Sequence, residues 1–403
     1  MRIVNRLNLT GITTACYILL AALVTTGCAT AKSGSTSFDL VEIERERILS
    51  KAADYLDEAP RTVTADIAER SEGGRHDFFS EGDYWWPDPE NPDGPYIRRD
   101  GETNPDNFVA HRESMIRLSD IIGTLASAYL ITGDETYAAS AVEHLKAWFV
   151  DESTRMNPSL LYGQAIKGRH TGRSIGIIDT IHLVEVALGA KKLATADSFE
   201  PQDQAQVKAW FEEYLHWINT HPYGVRERTH PNNHGITWSL QASAFATLVG
   251  DPEQLVWVRE QFKNVYIKEM MNEEGGFPAE LDRTKPYGYS LFVMDAMAGV
   301  AQLASTPEDD LWHFELPDGR GMKRGMEFLV PYIEDKSSWP FKQDVMYWDD
   351  WPVRHPCLLL AGLEFSKPDY LALWKDLEAD PEVFEVLRNL PMRHPLLWAN
   401  RRQ

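Results

Sequence analysis

The sequence predicts an all-α protein, an incomplete (α/α) toroid of about six or seven helical hairpins. Three observations carry this: long segments with apolar residues at helical spacing, Gly-Asp punctuation between them, and little β-alternation anywhere. "MIRLSDIIGTLASAYLITG" places Ile116, Ile122, Leu125 and Tyr129 along one stripe. "DETYAASAVEHLKAWFV" does the same with Tyr137, Val142, Leu145 and Phe149. Between them Gly133 ends one helix and Asp134 caps the next. The same punctuation returns at Gly250 and Asp251 before "PEQLVWVREQF". A looser helical pair is expected over 174–219, and further helices over 39–56, 320–333 and 356–388. Each hairpin must bury one face against the next, and a closing stack of hairpins does so.

The N-terminus reads as an export signal. Arg2 and Arg6 precede an apolar run from Ala15 to Val24 that ends in small residues and Cys28. The run is too short to span a bilayer as a mature helix. "LVTTGC" resembles the bacterial lipobox, with Thr25 where that pattern usually has Leu, so Cys28 is the expected lipidation site. The expected organisation is therefore a signal over 1–27, a flexible tether over 28–37 and a single domain over 38–403. The expected location is the periplasm or outer membrane of a Gram-negative bacterium, with ordinary cleavage into the periplasm as the alternative. Membrane contact would come only through the lipid.

Charge narrows the partners. The 403 residues carry 40 Lys plus Arg against 61 Asp plus Glu, a formal charge of −21, and losing residues 1–27 removes two arginines and no acids. Nucleic acid is excluded as a natural partner, and an acidic polymer would need a locally basic cleft. Of three cysteines, Cys16 leaves with the signal and Cys28 is committed to lipid, which leaves Cys357 alone. No disulfide framework is expected, so about 370 residues must be stabilised by burial.

Three segments interrupt the helices: "EGDYWWPDPENPDGPYIRRDGETNPDNF", "MNPSLLYGQAIKGRHTGRS" and "YWDDWPVRHP". Their prolines and glycines make them loops, and loops on a rigid scaffold are where ligand contacts concentrate. Trp85, Trp86, Trp348 and Trp351 could stack on sugar rings or simply plug the ends of the toroid. A fourth segment, "HPNNHGITW", crowds His230, Asn232, Asn233 and His234 ahead of an apolar helix.

The ordered set "GDYWWPDP", "PYIRRDGETNP", "MNPSLLYGQAIKG" with "GRSIGIID", "NNHG" and "ELDRTKPYGY" resembles the successive blocks of the alginate lyase family of α/α-toroid polysaccharide lyases. The resemblance spans about 75–365 and implies an exported lyase of uronate polysaccharides. It implies catalytic roles for Asn233, His234, Arg283 and Tyr289. "PYGY" offers Tyr287 as a second phenol. No cofactor is implied.

The chemistry gives its own reason for those residue types. Cleaving a 4-linked uronate by β-elimination removes the C5 proton, α to a carboxylate, and expels the sugar on O4. The carboxylate must be neutralised, which suits the guanidinium of Arg283 and the neutral amide of Asn233. A base and an acid are also needed, which suits His234 and Tyr289. The resemblance makes mannuronate-rich alginate the expected substrate, cleaved by syn elimination, with glucuronan or another glucuronate polymer behind it. Trp86, Arg98, Tyr162, Gln164, Arg173, Tyr287 and Arg354 are the expected substrate-binding residues.

Each residue also has a plainer reading. Asn233 could cap a helix beginning near Gly235, Arg283 could pair with Glu280 or Asp282, and Tyr289 could be core. His230 and His234 do not make a metal pair, because Pro231 interrupts any helix through them and no HExxH-type acid follows. Two rival functions remain: a glycoside hydrolase using Asp349 and Asp350 or Asp83 and Asp88, and a non-catalytic glycan-binding lipoprotein, which would not need the Asn-His and Arg-Tyr set.

Overall fold

Fully buried and half-buried helices alternate along the chain. In the computed structural model, which describes residues 38–399, the helices are α1 (Leu40–Tyr55), α2 (Ala110–Thr132), α3 (Glu135–Phe149), α4 (Leu183–Leu193), α5 (Pro201–Thr220) and α6 (Pro222–Arg228). They continue as α7 (Asn233–Val249), α8 (Pro252–Gln261), α9 (Pro278–Leu281), α10 (Pro286–Ala304), α11 (Met322–Glu334), α12 (Pro356–Glu364), α13 (Pro368–Asp376), α14 (Phe384–Arg388) and α15 (Pro395–Trp398). The expected signal, the tether and Cys28 lie outside the described residues.

α2, α4, α7, α10 and α12 bury nearly every residue along their central turns. α1, α3, α5, α8, α11 and α13 keep one face in water. A helix that is apolar all round belongs inside, and a one-sided helix belongs outside. Packing follows that division. α2 packs on α4, α4 on α7, α7 on α10 and α10 on α12, while α1 and α3 back α2, α5 and α8 back α7, and α11 and α13 back α12. The result is an all-α toroid with an inner and an outer ring.

Helix boundaries follow local chemistry. Asp134 and Asp251 cap α3 and α8 through their side chains, and Gly133 and Gly250 end α2 and α7 in the left-handed region. α7 is capped by Asn232, whose Oδ1 accepts from His234 N at 3.1 Å, so Asn233 opens the helix rather than capping it. One helix over 356–388 is not what forms. Ser366 takes φ 52°, Pro368 opens α13 with no N–H to give, and Pro381 follows an irregular turn, so the stretch divides into α12, α13 and α14.

The irregular loops form two small sheets at one end of the ring. β1 (Phe79–Glu81) pairs in parallel with β4 (Tyr162–Ala165), and β2 (Trp85–Trp86) pairs antiparallel with β3 (Ile97–Arg98). The C-terminal segment returns to the start of the ring. There the buried Glu185 of α4 accepts from His394 N at 2.9 Å and Trp398 Nε1 at 2.8 Å, and pairs with His394 Nδ1 at 2.6 Å. That docking carries Arg388 and Asn389 to the same end as the two sheets.

A buried ion network ties the sheets to the ring. Arg112 of α2 donates Nη1 to Asp83 Oδ1 at 2.6 Å and Nη2 to Asp179 Oδ2 at 2.9 Å, and Asp83 Oδ2 also takes Arg388 Nη1 at 2.6 Å. Burial would raise the Asp83 pKa, but Arg112 and Arg388 outweigh it and hold it below the usual carboxylate range. Its contribution to stability is therefore present above the ordinary carboxylate pKa and is lost as pH falls through the lowered value. Arg112→Leu should cost about 3–5 kcal/mol at neutral pH by leaving Asp179 buried without its cation and Asp83 with Arg388 alone. Denaturant unfolding of the purified variant measures it, and a cost under about 1 kcal/mol would contradict the assignment.

Candidate active site

The first turn of α7 and the first turn of α10 supply the chemistry of one cleft. Asn233 and His234 come from α7, Tyr289 from α10, and Arg283 from the turn before it. Asp83, Tyr84, Trp85 and Arg98 come from the β2–β3 hairpin and its lead-in, Gln164 from β4, and Arg388 from the end of α14. Together they line a cavity of about 270 Å³. Gly235 lets α7 start so close to this wall, since a Cβ there would meet the His230 carbonyl oxygen at 2.4 Å.

Buried carboxylates hold the α7 pair from behind. His234 Nδ1 lies 2.6 Å from Oε1 of Glu227, a residue only 1% exposed at the end of α6. With Nδ1–H donating to that carboxylate, Nε2 carries the lone pair. Glu280, also 1% exposed, accepts from Asn233 N at 2.6 Å and from Asn233 Nδ2 at 3.0 and 2.9 Å. Two carboxylate oxygens at that range subtend about 45°, against about 120° between amide hydrogens, so one hydrogen serves both oxygens. The other remains for a ligand. Burial raises the Glu280 pKa, and its bonds from Asn233 oppose that.

Tyr289 is surrounded by cations. Its Oη accepts from Arg283 Nη2 at 3.0 Å and shares a proton with Tyr84 Oη at 2.9 Å. The Arg283 guanidinium also lies 4.3 Å from the centre of its ring, and Lys285 Nζ lies 5.9 Å away. Burial, joined by Tyr84, pushes the Tyr289 phenol well above its ordinary pKa, while Lys285 and Arg283 pull it back. Burial likewise holds Tyr84 up at about 12. Arg283 is fixed by Asp100 at 3.0 Å, not by Glu280 or Asp282, and that ion pair outweighs burial to keep Asp100 at about 2.

The cleft is basic within an acidic chain. Arg98, Arg173, Arg283 and Arg388 line it, and Asp83, already bound by two arginines, is the one carboxylate among its lining residues. Asp88, Asp349 and Asp350 do not line it, so the pair of opposed carboxyl groups that a hydrolase needs is not assembled there. Arg173 donates Nε to Gln164 O at 2.8 Å and Nη2 to Gln164 Oε1 at 3.1 Å, and burial lowers its pKa to about 10.

Of the residues expected from sequence, Asn233, His234, Arg283, Tyr289, Arg98, Gln164 and Arg173 meet in this cleft; Trp86, Tyr162, Tyr287 and Arg354 do not line it. Trp86 donates Nε1 to Glu102 O at 2.9 Å. Its neighbour Trp85 lines the cleft instead, because successive strand residues point to opposite faces. Tyr162 abuts Gly73 and opens β4 opposite Phe79. Tyr287 is buried against Trp339 and Trp348 and donates to Tyr332 O at 3.0 Å. Arg354 bonds Glu44 at 2.9 Å and the carbonyls of Leu377 and Lys375, with Trp374 beneath it. It ties α1 to the loop after α13. Sequence reasoning passed over Tyr84, Glu227 and Arg388, named Trp85 only as one of four tryptophans that could stack or plug, and named Glu280 only as a partner for Arg283; Tyr84 stands in a block already singled out, whereas Glu227 and Arg388 carry no local signal.

Comparison with known proteins places the fold in a family. The alginate lyase family model matches residues 62–339. The crystal structure of an alginate lyase from Bacteroides ovatus is 32% identical, superposes with a TM-score of 0.77, and is covered over 93% of its length by 89% of this chain. The chain belongs to the alginate lyase family. It is thus a polysaccharide lyase. Alginate lyase A1-III from Sphingomonas species A1 shares the fold at 15% identity and a TM-score of 0.54, over 88% of this chain and 94% of that one. A variant of A1-III complexed with a tetrasaccharide aligns at 15% identity with a TM-score of 0.56, over the same shares. No curated protein matches the chain.

Proposed function

We propose that this lyase cleaves 4-linked polyuronates, mannuronate-rich alginate first, by syn β-elimination. The observation that carries the reading is Tyr289, hydrogen-bonded to Arg283 in the same cleft as the Glu227-held His234. In mannuronate and glucuronate the C5 hydrogen and the O4 bond lie on one side of the ring, so one group can serve both. Tyr289, as phenolate, takes the C5 proton. The C5–H electrons become the C4=C5 bond, the C4–O4 bond breaks, and the same proton passes from Tyr289 to O4. A phenol of high pKa is a strong base once ionised and, reprotonated, an acid matched to an alkoxide leaving group. His234 Nε2 accepts the phenol's own proton beforehand, while Arg283 and the free Asn233 N–H meet the substrate carboxylate.

The Glu227–His234 pair also favours a second reading, in which His234 is the base and Tyr289 only the acid. Both readings require Glu227 to be ionised. Glu227→Gln should therefore lower kcat about 10- to 100-fold with little change in KM, and Glu227→Asp should recover part of it. A Glu227→Gln enzyme with wild-type kcat and an unaltered pH profile would remove Glu227 from the mechanism.

Incubation with polymannuronate, polyguluronate and glucuronan, followed by ultraviolet absorbance of the unsaturated product, tests the function. Absence of absorbance with all three would refute it. Export as a lipoprotein acylated at Cys28 belongs to the same proposal and rests on the N-terminal pattern. Mass spectrometry of the mature protein tests that part, and a mature N-terminus elsewhere than Cys28 would refute it.

A further inference from the structure

Trp85 lines the catalytic cleft and is linked through Arg169 to a second cavity. On the catalytic side the Arg173 guanidinium lies 5.9 Å from its ring, and Arg169 lies over the same indole at 5.5 Å. Arg169, Lys167 and His170 border a second, open cavity of about 460 Å³. The backbone makes the same connection, since Gln164 lines the cleft and the next residues, Ala165 and Ile166, line the second cavity. Arg169 borders the second space and lies over an indole that lines the first, so the two are neighbours across that contact.

The rim of the second cavity is cationic and fixed. Arg169 donates Nε to Tyr96 O at 2.7 Å, and Lys167 Nζ lies 5.6 Å from the Tyr96 ring. Neither takes part in a salt bridge among the described residues. Of the acids bordering this cavity, Glu81 is bound by Arg70, and Glu72 is exposed. Gly168 takes φ 73° with Pro95 against it, where a Cβ would meet Pro95 Cα at 2.9 Å, so the turn is pressed onto the hairpin. In a chain of net charge −21, an arginine and a lysine held on aromatic rings without an acid partner retain their donors for an external anion.

We propose that the Lys167–His170 turn is an outer subsite of the lyase, holding the carboxylate of a uronate unit beyond those in the catalytic cleft, across Trp85. This rests on the polyuronate reading. The subsite gains affinity only from chains long enough to pass Trp85, so its contribution depends on substrate length.

The test compares wild type, Lys167→Ala and Arg169→Ala on size-defined oligouronates from trimer to octamer and on the polymer, using whichever uronate the wild type cleaves. Removing one charge-assisted hydrogen bond corresponds to about tenfold in affinity. Each variant should fall about tenfold in kcat/KM on the polymer, through KM, and under about twofold on the shortest oligomer cleaved; the polymer KM should also become less sensitive to salt. Equal falls at every length, or none at any, would overturn the subsite while leaving the catalytic reading intact. A wild-type protein that cleaves no polyuronate would overturn both.

Discussion

Tyr289→Phe is expected to lower kcat by at least about a thousandfold on the best polymer while KM changes by less than about threefold. The substitution removes one oxygen. The ring stays, with the Arg283 guanidinium 4.3 Å from its centre, so the shape of the cleft is preserved. What disappears is the atom within 3.0 Å of Arg283 and 2.9 Å of Tyr84, a phenol oxygen that a guanidinium and a second phenol both touch. Uniform binding would survive, and transition-state proton transfer would not. Leaving the Tyr84 hydroxyl and an Arg283 N–H without their partner costs about 1 kcal/mol, too little to unfold the domain. Steady-state kinetics by product absorbance, with circular dichroism as a folding check, measures the effect. Near wild-type turnover would move the proton-transfer role to Tyr84, which lines the cleft, and not to Tyr287, which is buried and bonded to the Tyr332 carbonyl.

Periodicity made the inner and outer helices legible, because burial all round or on one side is written directly into the spacing of apolar residues. The stripe through Ile116, Ile122 and Leu125 is fully or nearly fully buried. Residues 356–388 failed as a single helix because Pro368 and Pro381 are breakers that composition alone underweights. Asn233, His234, Arg283 and Tyr289 could be singled out together because they stand in ordered blocks that resemble one family, and the fold brings the four into one cleft. The choice of Trp86 over Trp85 was not, since which of two adjacent strand residues faces the cleft depends on strand register. Arg354 carried charge and stood in an aromatic loop, yet its guanidinium is taken up by Glu44 and two carbonyls. Glu227 and Glu280 had no signal of their own. A glutamate in "GVRER" or "PAEL" reads as a solvated charge until the fold buries it behind a side chain of the cleft.

That burial also separates His230 from His234, which the sequence sets side by side. Their rings are 5.2 Å apart, both line the cleft, and only His234 has a carboxylate on Nδ1. His230 Nδ1 is buried without a partner, and burial together with His234 lowers its pKa. Glu227 and Asn232 oppose that lowering only in part, so the neutral ring is favoured at His230, which has no carboxylate bonded to its Nδ1.

His234→Ala should accordingly lower kcat by about a thousandfold or more, whereas His230→Ala should cost under about tenfold. The Glu227 carboxylate sets the difference: Nδ1–H donation at 2.6 Å fixes the ring and stabilises the imidazolium that forms when Nε2 accepts a proton. Removing the imidazole leaves Glu227 buried at 1% exposure with neither oxygen bonded, because Oε2 already lacks a partner. His234→Gln, which can still donate toward Glu227, separates loss of chemistry from loss of packing. Both variants should fall by a similar factor if Nε2 carries protons. The two polymers then divide the mechanisms, since proton and leaving group are syn in mannuronate and anti in guluronate. If Tyr289 serves both ends on mannuronate, His234→Gln retains a small rate there and none on guluronate, where His234 must act as base opposite Tyr289. Equal abolition on both polymers would make His234 the base throughout, and retention of wild-type rates on either would exclude it from that polymer's proton transfer.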